Sequence, residues 1–532
     1  METLARSPAR SCLLLLLIAS ATLLFRLGGL PLCGSDEPRY ARIAEEMLAR
    51  GRWITPVLEG RPWLEKPPLY YWLTMPLFAT LGVGETTARL APALCGLACA
   101  LTVFWLGRRL GAPLGGFYGA AILLTSVGFV GFARSASTDM PLTACLTLAL
   151  SVLCARIVDP VTPSWSLLCA YGVLGLAVLA KGPVALVLAA GTCVLFWWLD
   201  ERGGSLRKWR MGAGLLTVAA VSLPWFFLVF RENGFAFVSF FFVNHNLVRY
   251  VSGIHHHSET FFYYVPVFLA LFFPWGGWMA LFLAPRPMGR WYAAQEWNPA
   301  TLFLTCWAVF PLLFFSLSQS KLPGYILPSL PPMSLLLGRK LQDLANRSPA
   351  NPGAAAWTYL LICAGVAGAL PLFFNVSYGG RWKAGLALSS CVLGPGVWAF
   401  LQSRRGKIET AMRCTMLQGL LVIMGVGWLA FPVLGDYHST RTIARQALAD
   451  RLKLEPIITY RFFHHSLLYY TGYQVAGYLQ TEKELKQFAL RNPSFLVVTQ
   501  GFRFEELQKL QGFSVSILGS QGKLRLFRIS HR

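Results

Sequence analysis

Apolar runs of about twenty residues recur along most of this chain, and a run of that length, wound as a helix, crosses a hydrocarbon core of about 30 Å. Inside lipid every backbone donor and acceptor has to be satisfied within the segment, so such runs are read as membrane helices. The hydrophobic share of 55% over 532 residues and a mean hydropathy of +0.51 exclude a soluble globule. A hydropathy window places thirteen spans, near residues 11–32, 88–110, 114–132, 139–157, 165–180, 183–200, 211–230, 261–283, 301–319, 324–339, 355–375, 383–402 and 411–434. The first follows Arg6 and Arg10 but is longer than the core of a secretory leader and lacks a small-x-small cleavage pattern, so it is read as a retained helix.

Basic residues orient these spans. With residue 1 inside, the inner loops hold Arg108-Arg109, Arg156, the run 202–210, Arg286, Arg290, Arg339-Lys340, Arg347, Arg404, Arg405 and Lys407, which satisfies the positive-inside rule in each case. The net charge of +23 is thereby assigned to the cytoplasmic face, and nucleic acid is not needed to explain it. The outer face then receives the loop 33–87, the turns 134–139 and 181–183, the loop 231–260, the turn 318–325 and everything after 436. Unpaired ionisable groups at membrane depth cost on the order of 2.5–3.5 kcal/mol each, so this one-sided collection points to one shared cavity facing outward.

Residues 1–435 form the expected membrane domain, and 436–532 read as a soluble α/β domain on the outer side. Strands are expected at 455–461 and 494–499, helices at 481–490 and 504–510, and a hairpin over 513–529 turning at 520–523. This tail has no cysteine to staple it, and most of the twelve cysteines lie in the spans as small apolar residues. No internal repeat and no Walker or Rossmann glycine pattern is present, so no nucleotide cofactor is expected.

Residues 34–72, GSDEPRYARIAEEMLARGRWITPVLEGRPWLEKPPLYYW, concentrate charge in a chain that is only 13% charged. Their first part has helical spacing with one apolar and one charged face, which suits a helix lying on the membrane surface. Pro67-Pro68 remove two donors and hold Glu65-Lys66 on extended backbone. Asp36 is suited either to deprotonating or orienting an acceptor, or to capping a helix. Asp139 has the same two readings, with Ser137 or Thr138 as the competing cap. Lys66, Lys181, Arg249 and Lys321 fall at the outer face on four segments, either as a phosphate-binding set or as separate side chains snorkelling to the interface. His245 or His257 with Glu65 supplies imidazole and carboxylate for zinc or a similar divalent metal; the other reading is a loop of solvated histidines.

The ordered motifs DEPRYA, LEKPPLYYW, RSASTDMP, LAKGP and SKLPGYILP resemble those of the dolichyl-phosphate-mannose-protein mannosyltransferase-like superfamily, and most closely its undecaprenyl-phosphate aminoarabinose (lipid A) transferases. The resemblance covers residues 30–335 and implies an all-α polytopic membrane fold of the GT-C type with about thirteen helices and an α/β tail. It implies Asp36 and Asp139 as catalytic acids, Lys66, Lys181 and Arg249 as donor-phosphate ligands, and Arg39, Lys321 and Tyr325 as further site residues. Glu65 with His245 or His257 is the implied metal position, and HSETFFYY from His257 is similar to that group's H-x-x-x-F-x-Y-Y segment.

The activity so implied is an inverting glycosyltransferase of the inner membrane. It would move 4-amino-4-deoxy-L-arabinose or another sugar from a polyprenyl-phosphate donor to lipid A or another extracytoplasmic lipid or glycan acceptor. The alternative is a transporter or flippase of a polyprenyl-linked lipid, for which repeats and charges at mid-membrane depth are the signature; here the charges gather at one face.

Overall fold

The computed structural model describes residues 7–158, 163–200, 209–248, 259–283, 298–346, 352–452 and 455–532. Its membrane part runs through helices α1 (Pro8–Ala19), α2 (Asp36–Ala49), α3 (Leu69–Leu81), α4 (Glu85–Arg109), α5 (Pro113–Thr125), α6 (Val127–Ala133), α7 (Asp139–Val158), α8 (Ser164–Lys181) and α9 (Val184–Leu199). It continues through α10 (Met211–Asn233), α11 (Tyr264–Leu271), α12 (Pro299–Ser316), α13 (Leu330–Asn346), α14 (Ala354–Ser377), α15 (Trp382–Arg404), α16 (Ile408–Gly425) and α17 (Phe431–His438).

Among the described residues, seven segments are long and apolar enough to span: α4, α7, α10, α12, α14, α15 and the continuous run Ile408–His438. Counting the bent pairs α5–α6 (69°) and Phe261–Leu271 with Trp275–Phe282 (119°) gives up to nine. The expected count of thirteen also included α1, α8 and α9, which are apolar but shorter, and residues 324–339. That last stretch is a 3₁₀ turn (Pro323–Ser329) leading into α13, whose polar residues Arg339, Lys340, Gln342 and Asp343 make it amphipathic rather than a span.

Helices α4, α5 and α13 approach one another through glycines. A Cβ on Gly338 would fall 2.5 Å from the Gly115 carbonyl oxygen, and one on Gly107 would fall 2.2 Å from Gly116 Cα, so only glycine permits this backbone contact.

The helix expected to float on the lipid surface does not. The apolar face of α2, with Tyr40, Ile43, Ala44 and Met47, is buried against Tyr70, Tyr71 and Met75 of α3, with Tyr469 and Tyr470 from the tail closing over it. Protein offers that face more complementary packing than lipid does, and its charged face is freed for the site. The proline pair also behaves differently from expectation: Pro68 adopts helical dihedrals (φ −86°, ψ −10°) and caps α3.

Strands β1 (Val57–Leu58) and β2 (Arg61–Pro62) form a short antiparallel hairpin in the first loop. Beyond His438 lies a five-stranded sheet, β3 (Ile457–Tyr460), β4 (Val475–Leu479), β5 (Ser494–Gln500), β6 (Phe513–Gln521) and β7 (Leu524–His531), in the order β4-β3-β5-β7-β6. β4, β3 and β5 are parallel, while β5, β7 and β6 pair antiparallel. β3 is buried along its whole length, the pattern of a strand covered on both faces. Helix α20 (Glu482–Arg491) starts at a capping box in which Thr481 and Glu484 satisfy each other's backbone donors. Strand β4 and helices α18 (Arg441–Asp450) and α19 (His465–Tyr470) were not anticipated. The hairpin carries the docking contact: Gln521, buried, donates to the carbonyls of Gly435 (3.2 Å) and Ser439 (2.8 Å) and accepts from Ile443 N (2.9 Å).

Candidate active site

The side chain at the start of α2 is followed three residues later by its partner. Asp36 Oδ1 accepts from Arg39 Nη2, Ser35 Oγ donates to the same oxygen at 3.3 Å, and Arg39 Nε returns to the Ser35 carbonyl at 3.0 Å. The Arg39 guanidinium lies 5.2 Å from the ring centre of Trp63. Desolvation pushes the Asp36 carboxyl up, but Arg39, with Lys66 and Ser35, outweighs it and holds the group below the ordinary carboxylate value. Its side chain is 56% exposed, which leaves it accessible to an incoming acceptor.

The next residue faces the other way. Glu37 is buried and accepts four hydrogen bonds, from Arg89 Nε (2.8 Å), Arg89 Nη2 (2.7 Å), Ala136 N (2.9 Å) and Cys33 N (3.0 Å). Arg89 also donates to the carbonyls of Leu27 (3.2 Å) and Pro31 (2.9 Å). Burial alone would raise the Glu37 carboxyl; Arg89 reverses the sign and keeps it ionised. This pair joins the end of the first helix, the start of α2, span α4 and the turn that carries Asp139. Neither Glu37 nor Arg89 was singled out from the sequence, although Arg89, a turn inside span α4 and apart from its charged ends Glu85 and Arg108-Arg109, is itself a sign of a buried partner.

Asp139 opens α7, so its carboxylate stands at the positive end of a helix. It pairs with Lys181, the last residue of α8 before Gly182, whose φ of +84° makes the sharp turn. The Lys181 ammonium sits 5.0 Å from the ring centre of Tyr325. Gly324 brings the SKLPGY turn so close that a Cβ there would lie 3.2 Å from Asp139 Oδ2 and 2.8 Å from Phe132.

These groups surround one cavity of about 550 Å³, to which Asp36, Arg39, Glu65, Lys66, Asp139, Lys181 and Tyr325 all contribute. Three carboxylates and three cations balance there. Any anion entering the cavity would have to compete with Asp139 for Lys181.

Other expected site residues fall elsewhere. Lys321 does not line the cavity: it is 5% exposed, and its ammonium donates to the carbonyls of Ser318 (2.6 Å) and Glu259 (2.9 Å), tying the turn to the segment before α11. Arg249 and His257 lie outside the described residues, and so does the side chain of His245, on the helical segment Val238–Val248. Among the described residues no cluster of three His, Cys, Asp or Glu side chains could hold a metal ion; the side chains of the histidines expected to join Glu65 lie outside them.

The chain is similar to known proteins in both sequence and fold. Residues 33–240 match the family described as dolichyl-phosphate-mannose-protein mannosyltransferase. An undecaprenyl phosphate-α-4-amino-4-deoxy-L-arabinose arabinosyl transferase of Pectobacterium atrosepticum is 30% identical over 419 residues, 77% of this chain and 68% of that protein. A Pseudomonas fluorescens protein of the same description is 33% identical over 340 residues, 62% of this chain and 59% of its own length. The fold is similar to that of ArnT from Cupriavidus metallidurans in the apo state (TM-score 0.77, 23% identity, 97% of each chain) and bound to undecaprenyl phosphate (TM-score 0.75, 24% identity, 98% of each chain).

Proposed function

Because the chain belongs to the family of undecaprenyl phosphate-α-4-amino-4-deoxy-L-arabinose arabinosyl transferases, we propose that the Asp36–Asp139 cavity moves an aminopentose from its undecaprenyl phosphate carrier to a lipid A acceptor. The protein is a multi-pass membrane glycosyltransferase that uses a polyprenyl-phosphate donor. The observation that carries the reading of the site is the convergence of two helix-initial carboxylates, each paired to a cation, with Lys66 on the same wall.

In the reaction an acceptor oxygen forms a bond to the anomeric carbon from the face opposite the leaving phosphate, the bond from that carbon to the phosphate oxygen breaks, and the configuration inverts. The departing polyprenyl phosphate gains the bonding electron pair, and Lys66 and Lys181 neutralise that charge where it develops. A hydroxyl acceptor gives its proton to Asp36, whose lowered pKa keeps it ionised and ready to accept. A phosphate acceptor is already ionised, and Asp36 with Arg39 then orients it. Asp139 holds the Lys181 ammonium at the cavity wall until the donor arrives.

The cavity is assigned to the outer face of the inner membrane. Span Ile408–His438 begins next to the basic turn Arg404 to Lys407, and its other end reaches the cavity side, where His438 O accepts from Gly34 N at 3.4 Å. Span α4 likewise runs from Glu85, bonded to Tyr470, to Arg108-Arg109. Both basic ends thus lie across the membrane from Asp36, which by the positive-inside rule faces outward.

The test is to supply purified protein with an undecaprenyl phosphate-linked aminopentose and lipid A, and to follow both released undecaprenyl phosphate and sugar-modified lipid A by mass spectrometry. Release without modified lipid A removes that acceptor; no release removes the reading.

A further inference from the structure

The spans Ala354–Ser377 and Ile408–His438 end side by side at a second cavity, of about 420 Å³, whose far wall is the C-terminal sheet. It is within the size range of small-molecule sites and is lined by both parts of the chain. Its position is fixed by contacts that leave little play. The hairpin turn presses so closely on the end of the last span that a Cβ on Gly522 would lie 2.6 Å from the Asp436 carbonyl oxygen, and Gln521 is bonded to Gly435 and Ser439 beside it.

Two charges of opposite sign line this cavity, Asp436 and Lys523, both exposed. Neither forms an ion pair with the other or with any other described residue. Asp36 and Asp139 of the first cavity, by contrast, are each paired to a cation. Four aromatic side chains, Phe373, Tyr378, Tyr437 and Phe462, share the lining. Two imidazoles complete it. His438 Nε2 is 3.0 Å from the Tyr378 hydroxyl, and His464 Nδ1 accepts from Ser466 N at 3.2 Å, so the ring proton of neutral His464 resides on Nε2 as a donor. The Ser439 hydroxyl, fully buried beside them, has no hydrogen-bond partner among the described residues. At the rim, Phe373 is 51% exposed on the last turns of a membrane span.

We infer that this cavity binds a headgroup carrying both an ammonium and a phosphodiester, as an ethanolamine phospholipid of the surrounding leaflet does. Asp436 and the aromatic faces receive the ammonium by charge-assisted hydrogen bonding and cation–π contact. Lys523 and the Nε2–H of His464 receive the phosphodiester. The acyl chains leave past Phe373 along the outside of α14, a span whose surface is mostly unburied by protein. A purely anionic headgroup would meet Asp436, and a purely cationic one would meet Lys523, so the pair selects for a zwitterion. The site is separate from the reacting cavity, and its assignment stands whichever sugar is transferred there. It adjoins the Asp36 loop through the bond from Gly34 N to His438 O.

The full-length protein, purified in detergent and exposed to equal amounts of phosphatidylethanolamine and phosphatidylglycerol, is examined by native mass spectrometry. The wild type is expected to retain the ethanolamine lipid in preference to the glycerol lipid by about tenfold, the size of effect one charge-assisted hydrogen bond supplies. Asp436→Asn with Lys523→Ala is expected to abolish the preference while leaving the thermal unfolding temperature in place, since both side chains are exposed. Equal retention of the two lipids by the wild type, or an unchanged preference in the double variant, overturns the assignment. Soluble glycerophosphoethanolamine at the same concentration as the lipid separates the two sources of the headgroup: a retained lipid adduct supports the phospholipid, and its displacement overturns the lipid and leaves a soluble ligand.

Discussion

The guanidinium of Arg89 holds the carboxylate of Glu37 through two hydrogen bonds of 2.8 and 2.7 Å, at the residue next to Asp36 and within reach of the turn that presents Asp139. Asp36 and Asp139 are thus positioned by a carboxylate, Glu37, that does not itself line the cavity. Removing one partner of such a buried pair leaves an uncompensated charge, at a cost of about 3–5 kcal/mol. Arg89→Ala is expected to lower the thermal unfolding temperature of the detergent-solubilised protein and to abolish transfer. Glu37→Gln keeps the volume and two acceptor contacts, and is expected to destabilise less while still reducing turnover. Wild-type stability for Arg89→Ala would show that the pair does not organise the site.

Asp36→Asn removes one charge at a half-exposed position, so expression and unfolding temperature should be unchanged while transfer is lost. The pH profile of the wild type carries the same information. Because the folded Asp36 pKa lies below the ordinary carboxylate value, the ionised form persists down to that value. Activity dependent on it declines only as pH falls further, through the lowered pKa. An acid limb of kcat that sits above the ordinary carboxylate range would assign the titrating base to another group.

For Lys66→Ala the expected change is a rise in donor KM of about tenfold or more, the loss of one charge-assisted contact to phosphate. Folding should be little altered. An unchanged KM for the undecaprenyl phosphate-linked donor would move Lys66 out of the donor site.

His465, on α19 against α2, is pushed down to about 4 by burial and then by Arg39 and His464, with Asp36 opposing. The folded protein therefore binds fewer protons than the unfolded chain between about 4 and the ordinary histidine value near 6.5. Stability from this group is fully present above 6.5 and is lost as pH falls toward 4. The unfolding temperature should drop across that window in the wild type and drop less in His465→Gln. Parallel curves would remove His465 from the docking interface.

Sidedness is tested by impermeant thiol labelling of spheroplasts. A cysteine replacing the exposed Ser35 should react from outside, and one replacing the exposed Lys407 should react only after permeabilisation. Ser403, at the same turn, is unsuitable because it is fully buried and bonded to the Phe400 carbonyl. Native Cys33 contributes little background, since burial and then Glu37 push its thiol up to about 12. Labelling of Lys407→Cys in intact spheroplasts would place the cavity in the cytoplasm.

Much of this was legible before any coordinates. Spans such as α4 and α7 announce themselves because a helix in lipid needs about twenty apolar residues in sequence, and Asp36, Lys66, Asp139 and Lys181 stand out as charges at the ends of such runs. What was not legible depends on direction or on distance along the chain. The sequence of a turn does not say which way a lysine points, and Lys321 turned to backbone carbonyls while Lys181 turned to the cavity. Glu37 and Arg89 are 52 residues apart, and neither carries a local pattern that names the other. The apolar face of α2 reads as facing lipid because its partners, Tyr70, Tyr71 and Met75 of α3, are about thirty residues away and the residues that close over it, Tyr469 and Tyr470, come from a helix with no membrane signal of its own.

The contacts of Gln521 set an order of events for the biogenesis of this enzyme. The Asp36 loop is held by Gly34 to His438 at the end of the last span, and by Leu32 and Glu85 to Tyr470 and Arg441 of the tail, which the hairpin seats. A chain that ends before the hairpin is therefore expected to insert its spans yet lack these anchors for the loop, and to leave the lipid-linked sugar pool untouched.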